Sequence, residues 1–144
     1  REAYQRLSQS EQQRESLRRQ VVENTRNLHR AVNTDVEQVQ ARKQSIISNQ
    51  SALEATEIGY QVGTRNIVDV LDAQRQLYTS VRDYNNSRYD YILDNLSLKQ
   101  AAGTLSPQDL QDLKRYLKPD YNPDKDFLPP DLAAAAAKNF ERRP

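Results

Sequence analysis

Cysteine, methionine and tryptophan are absent from this chain, and its 144 residues hold only three glycines and one histidine. Without cysteine there is no disulfide, no thiolate nucleophile and no cysteine-ligated zinc, and the redox compartment stays open, the periplasm included. Glycine this sparse and unclustered excludes a Gly-rich phosphate loop and argues against a sheet-rich fold, so a nucleotide enzyme is disfavoured. The histidine, His29, lies in a polar helical pattern without the partners a metal would need, and no cofactor is implied. Charge of one sign is also lacking: 21 basic residues face 20 acidic ones, and the balance holds along the chain. No basic face marks a nucleic-acid partner. No window approaches the roughly 20 apolar residues of a membrane-spanning helix, and no paired acid and base suggests an enzyme.

What is present is helix-forming. Hydrophobic residues make up 36%, with eight Tyr and two Phe, enough for thin contacts between helices rather than a thick core. From residue 1 to about 61 there is no proline and a single glycine, Gly59, which predicts a rod of roughly 90 Å. Val32, Val39, Ile46, Leu53 and Tyr60 recur every seven residues. Ala31, Ser45, Ala52 and Gly59 form an adjacent row of small residues, interrupted by Gln38. Such a repeat imposes left-handed supercoiling, and the small row permits close approach of another helix. Lys43, Gln50 and Glu57 at the companion positions keep the seam thin, so neighbours are expected on two sides.

A VGT turn separates this rod from a second helix, with Asn66 as its N-cap and Val70, Leu77, Tyr84, Tyr91 and Leu98 repeating by sevens. Gly103 is placed to end it. Ser106, Pro107 and Asp109 then open a short third helix. Beyond Lys118 the Pro- and Asp-rich stretch reads as an irregular tail, and Ala133–Ala137 with Lys138, Arg142 and Arg143 reads either as a short helix or as disorder. The expected organisation is a lopsided hairpin over 1–105 with its tip at 60–66, a short helix over 106–118 and a tail over 119–144. The second helix folds back only to about residue 27, so Tyr4, Leu7, Leu17, Val21 and Val22 need a partner from elsewhere. The chain opens mid-pattern at REAYQRL, and the gene product is expected to begin further upstream. The sequons at Asn49, Asn85 and Asn95 fall inside predicted helices and are read as chance. Tyr78, Tyr84, Tyr89 and Tyr91 are read as packing residues rather than a platform for bases.

GYQVGTRNIVDVLDA, followed by RYDYILDNLSLKQAAGTL and a helix opening on SPQDL, resembles the closing third of the TolC family of outer-membrane efflux proteins, over roughly residues 1–118. The resemblance implies an all-α segment: a long antiparallel coiled-coil hairpin belonging to a trimeric periplasmic α-barrel, then a short equatorial helix. The β-barrel strands and the first repeat of the family have no counterpart here, so this segment alone spans no membrane and closes no channel. The implied function is a tunnel segment of a Gram-negative outer-membrane exit duct for multidrug efflux and type I protein secretion. The implied partners are two further copies, a periplasmic adaptor protein, and an inner-membrane pump or ABC transporter.

In that family the hairpin tips form the gated entrance. Asp69 and Asp72, on one helix face, would gather by threefold symmetry into a ring of six carboxylates that repel one another and favour cations. On its own chemistry Asp69 is equally the third residue after an N-cap, favouring the helix dipole. Tyr60 and Arg65 match the pair that ties the tips together in the closed state; read alone they are a row-ending tyrosine and a solvated turn arginine. Val62, Gly63 and Thr64 match the tip that meets the adaptor, and also suit a turn needing a positive φ. The competing function is a soluble coiled-coil interaction hairpin, adaptor-like, that encloses no pore.

Overall fold

The computed structural model describes residues 1–117, 119–122 and 126–134. Helix α1 runs Glu2–Gln61, α2 Ile67–Ala101 and α3 Pro107–Lys114, and no strand occurs among the described residues. The all-α hairpin expected from the sequence is the fold observed.

The 60 residues of α1 owe their helicity to composition and to pairs along the surface. Arg6 meets Glu2 at 2.6 Å, and Glu15 lies between Arg18 at 3.8 Å and Arg19 at 3.5 Å. Each such exposed pair adds a few tenths of a kcal/mol, so packing on α2 is needed to hold the rod. The seam supplies it where the sevenfold rows meet. On α2, Val70 and Leu77 are buried and Tyr84, Tyr91 and Leu98 half-buried; on α1, Ile46 is 0% exposed and Val32, Val39 and Leu53 are half-buried. Ile46, Leu77 and Val81 form the core cluster, each burial worth about 1.5–3 kcal/mol. Arg42 and Asp83, 3.7 Å apart, cross-link the helices beside it. The α1 row lets go at Tyr60, which is 48% exposed. In the small row Ser45 and Ala52 are exposed while Ala31 and Gly59 are half-covered, leaving a face open to another helix.

Cover by α2 begins at Thr25. Before it every residue of α1 is exposed except Glu15, and Tyr4, Leu7, Leu17, Val21 and Val22 all stand in solvent. Of the tyrosines, Tyr84 and Tyr91 pack in the seam, with the Arg88 guanidinium 5.6 Å above the Tyr84 ring. Tyr89 does not pack: it is 66% exposed.

Helix α3 is tied to the end of α2. The Ser106 N–H and hydroxyl donate to the Asp109 carboxylate at 2.8 and 3.1 Å, and Lys99 of α2 forms an ion pair with the same carboxylate. The Lys99 ammonium, then the Ser106 N–H, hold Asp109 below the ordinary carboxylate value. The tail is less irregular than its composition predicts. Residues 130–134 are helical, and Phe127, Leu128 and Leu132 pack against the core cluster. Ala133 and Ala134 are therefore helical, whereas Ala135–Ala137, Lys138, Arg142 and Arg143 lie outside the described residues, as does Lys118.

Candidate functional site

The tip is a junction of two caps. Helix α1 ends with the Thr64 N–H donating to the Gly59 carbonyl at 2.8 Å and the Gly63 N–H to the Tyr60 carbonyl at 3.1 Å. This is the paired arrangement in which a left-handed residue satisfies the last carbonyls of a helix, and Gly63 supplies it with φ 79. The Gly59 carbonyl also accepts from the Arg65 N–H and the Thr64 hydroxyl, each at 3.1 Å. The chain can crowd onto this carbonyl because Gly59 has no side chain: a Cβ there would stand 2.7 Å from Arg65 Cγ. The same Gly-Thr device ends α2. Thr104 donates to the Lys99 carbonyl at 2.9 Å and Gly103, with φ 69, to that of Gln100 at 3.0 Å.

Helix α2 starts at once. Asn66 Oδ1 accepts from the Asp69 N–H at 2.9 Å, and Asp69 Oδ2 accepts from the Asn66 N–H at 3.2 Å. This reciprocal box satisfies two free donors and places a carboxylate against the positive end of the helix dipole. Asp69 thus has the capping role its position allowed. Asp72 is the freer carboxylate, exposed, with Arg75 at 3.6 Å on its own helix. Among the described residues the Tyr60 hydroxyl and the Arg65 guanidinium make no hydrogen bond or ion pair, although the stem of Arg65 lies over Gly59. Val62 is 69% exposed at the apex, and Gly63 has open space around it. The short turn therefore collects Tyr60, Val62, Gly63, Thr64, Arg65 and Asp69 at one end of the hairpin, with Asp72 a turn further up α2. No group of His, Asp or Glu able to hold a metal occurs among the described residues.

The model of the family described as Outer membrane efflux protein matches residues 1–104, the hairpin with both of its glycine-ended helices. The chain belongs to the outer membrane efflux protein family. It is 50% identical over 104 residues to outer membrane protein TolC of Vibrio cholerae serotype O1, covering 72% of this chain and 24% of that protein. It is 44% identical over 106 residues to outer membrane protein TolC of Escherichia coli strain K12, covering 74% and 22%. Alkaline protease secretion protein AprF of Pseudomonas aeruginosa is more distant, 23% identical over 111 residues, or 77% and 23%. The chain spans less than a quarter of the length of these curated relatives. In this member of the outer membrane efflux protein family the family model covers α1 and α2, and α3 and the tail follow it.

A carboxyl cluster in the seam is invisible in the sequence, because only the register of α1 on α2 brings it together. Asp35 of α1 faces Asp94 and Asp90 of α2, and its Oδ2 is covered from solvent without a donor among the described residues. Two carboxylates cannot bond unless a proton lies between them. Burial first, then the charge of Asp94 and its hydrogen bond, and then Asp90, push the Asp35 carboxyl above its ordinary value.

Proposed function

We propose that this chain is part of the periplasmic wall and entrance of a trimeric outer-membrane exit duct that carries drugs and secreted proteins out of a Gram-negative cell. The observation that carries this reading is the tip itself, in which two interlocked caps form the short turn while the tyrosine and the arginine that would gate a pore stay unengaged and Asp72 stands exposed beside Arg75 of its own helix. The bare face of residues 1–24 and the open small-residue row supply surfaces for neighbouring helices of such a wall. The duct is passive and performs no catalysis; energy comes from an inner-membrane pump or ABC transporter reached through a periplasmic adaptor. Val62, Gly63 and Thr64, at the apex, are the adaptor's contact. Asp69 and Asp72, tripled by symmetry, form the cation-selective ring, and Tyr60 with Arg65 ties the tips shut.

Planar-bilayer conductance of the full-length protein tests this, with a trivalent cation added on the periplasmic side. The expected result is block that disappears in Asp69→Ala/Asp72→Ala. The competing reading, a soluble interaction hairpin without a pore, has in its favour that Asp69 is occupied as a cap. Absence of conductance would establish that reading instead, and block indifferent to both aspartates would remove them from the ring.

A further inference from the structure

The tail crosses the hairpin where the sequence leaves the seam weakest. Lys43 stands at a companion position that should be apolar in a regular supercoil. In the structure Asp131 pairs with its ammonium. Beside this pair, Phe127 packs on the Tyr78 ring with centroids 5.0 Å apart, Pro129 is buried, and Leu128 and Leu132 close over Ile46, Leu77 and Val81. Ile46, the most completely enclosed residue described, lies in the cluster this segment covers. The segment reaches both helices, α1 through Lys43 and Ile46 and α2 through Leu77, Tyr78 and Val81.

We propose that residues 126–132, Asp-Phe-Leu-Pro-Pro-Asp-Leu, are a strap whose binding site is the groove between α1 and α2 at the level of Ile46 and Leu77, and that its docking braces the two helices against separation. The apolar residues provide the attraction and the ion pair fixes the register, since Lys43 and Asp131 keep side-chain exposures of 40% and 55% and pairs so exposed contribute little strength. The consecutive prolines stiffen the segment before docking and lower the entropy lost on binding. Attachment to the same chain gives the strap a high effective concentration at its groove, so modest contacts keep it seated. This inference concerns the hairpin's cohesion and does not depend on the duct reading.

Amide hydrogen exchange in the full-length protein tests it. Phe127→Ala/Leu132→Ala is expected to accelerate exchange about tenfold or more over residues 42–50 and 75–84, with residues 67–70 at the tip unchanged. Lys43→Asp and Asp131→Lys are each expected to accelerate the same amides, and the double reversal to restore them. Unchanged exchange in Phe127→Ala/Leu132→Ala would overturn the strap. If that variant loosens the whole hairpin, the charge reversal decides: failure of the double variant to restore protection would overturn the proposed register and with it the groove.

Discussion

Asp35 shows how one side chain sets a pH dependence. Its carboxyl titrates above the ordinary 3.8 in the folded chain, because burial and the facing Asp94 and Asp90 favour the neutral form. The folded hairpin therefore holds this proton more tightly than the unfolded chain. The associated stability is complete below about pH 4 and is lost as pH rises through the raised value. Asp35→Asn should stabilise the hairpin near pH 7, leave it almost unchanged near pH 4, and flatten its melting temperature between them. The two tip glycines should respond differently. Gly63→Ala forces a side chain into the left-handed region, a strain of about 1–2 kcal/mol readable as a lowered melting temperature. Gly59→Ala meets the flexible stem of Arg65, so it should displace that arginine and alter the tip more than the stability.

At the scale of the element, the ends of the helices carry more local information than their middles. Asn66→Ala removes the acceptor for the Asp69 N–H and should cost about 1 kcal/mol, seen as faster exchange confined to the first turn of α2. The cap residues Asn66, Gly103 and Pro107 were legible because capping chemistry involves only neighbours in sequence. The sevenfold row of α2 was legible for a similar reason, since the repeat marks the buried face wherever the partner lies. The tail was not: its prolines and aspartates describe a chain that cannot continue a helix, and nothing local says that Phe127 will find Tyr78, nearly fifty positions away. Asp35 and Asp94 escaped for the same reason, as their meeting depends on how far α1 has slid along α2. At the tip the residues themselves were legible, yet the choice between cap and pore carboxylate for Asp69 was not, because one chain satisfies the first and only an assembly tests the second.

At the scale of the whole molecule, the two helices are unequal by design of their lengths, 60 residues against 35. The uncovered beginning of α1 carries Tyr4, Leu7 and Leu17 at exposures of 57–73%, an apolar surface that calls for other helices. Under the duct reading those helices complete the wall, and Tyr60→Phe with Arg65→Ser in the full-length protein should raise conductance by loosening the entrance. Unchanged conductance would remove both residues from the gate. The neighbouring segments also decide how motion travels. Helix α2 halts at Gly103 and hands over to a separate short helix, so a disturbance arriving there meets a joint. Helix α1 has none: no proline and no glycine interrupts it before Gly59. A twist applied where it stands bare therefore meets no break in the helix before the turn that bears Tyr60 and Arg65, only the seam with α2 to share it.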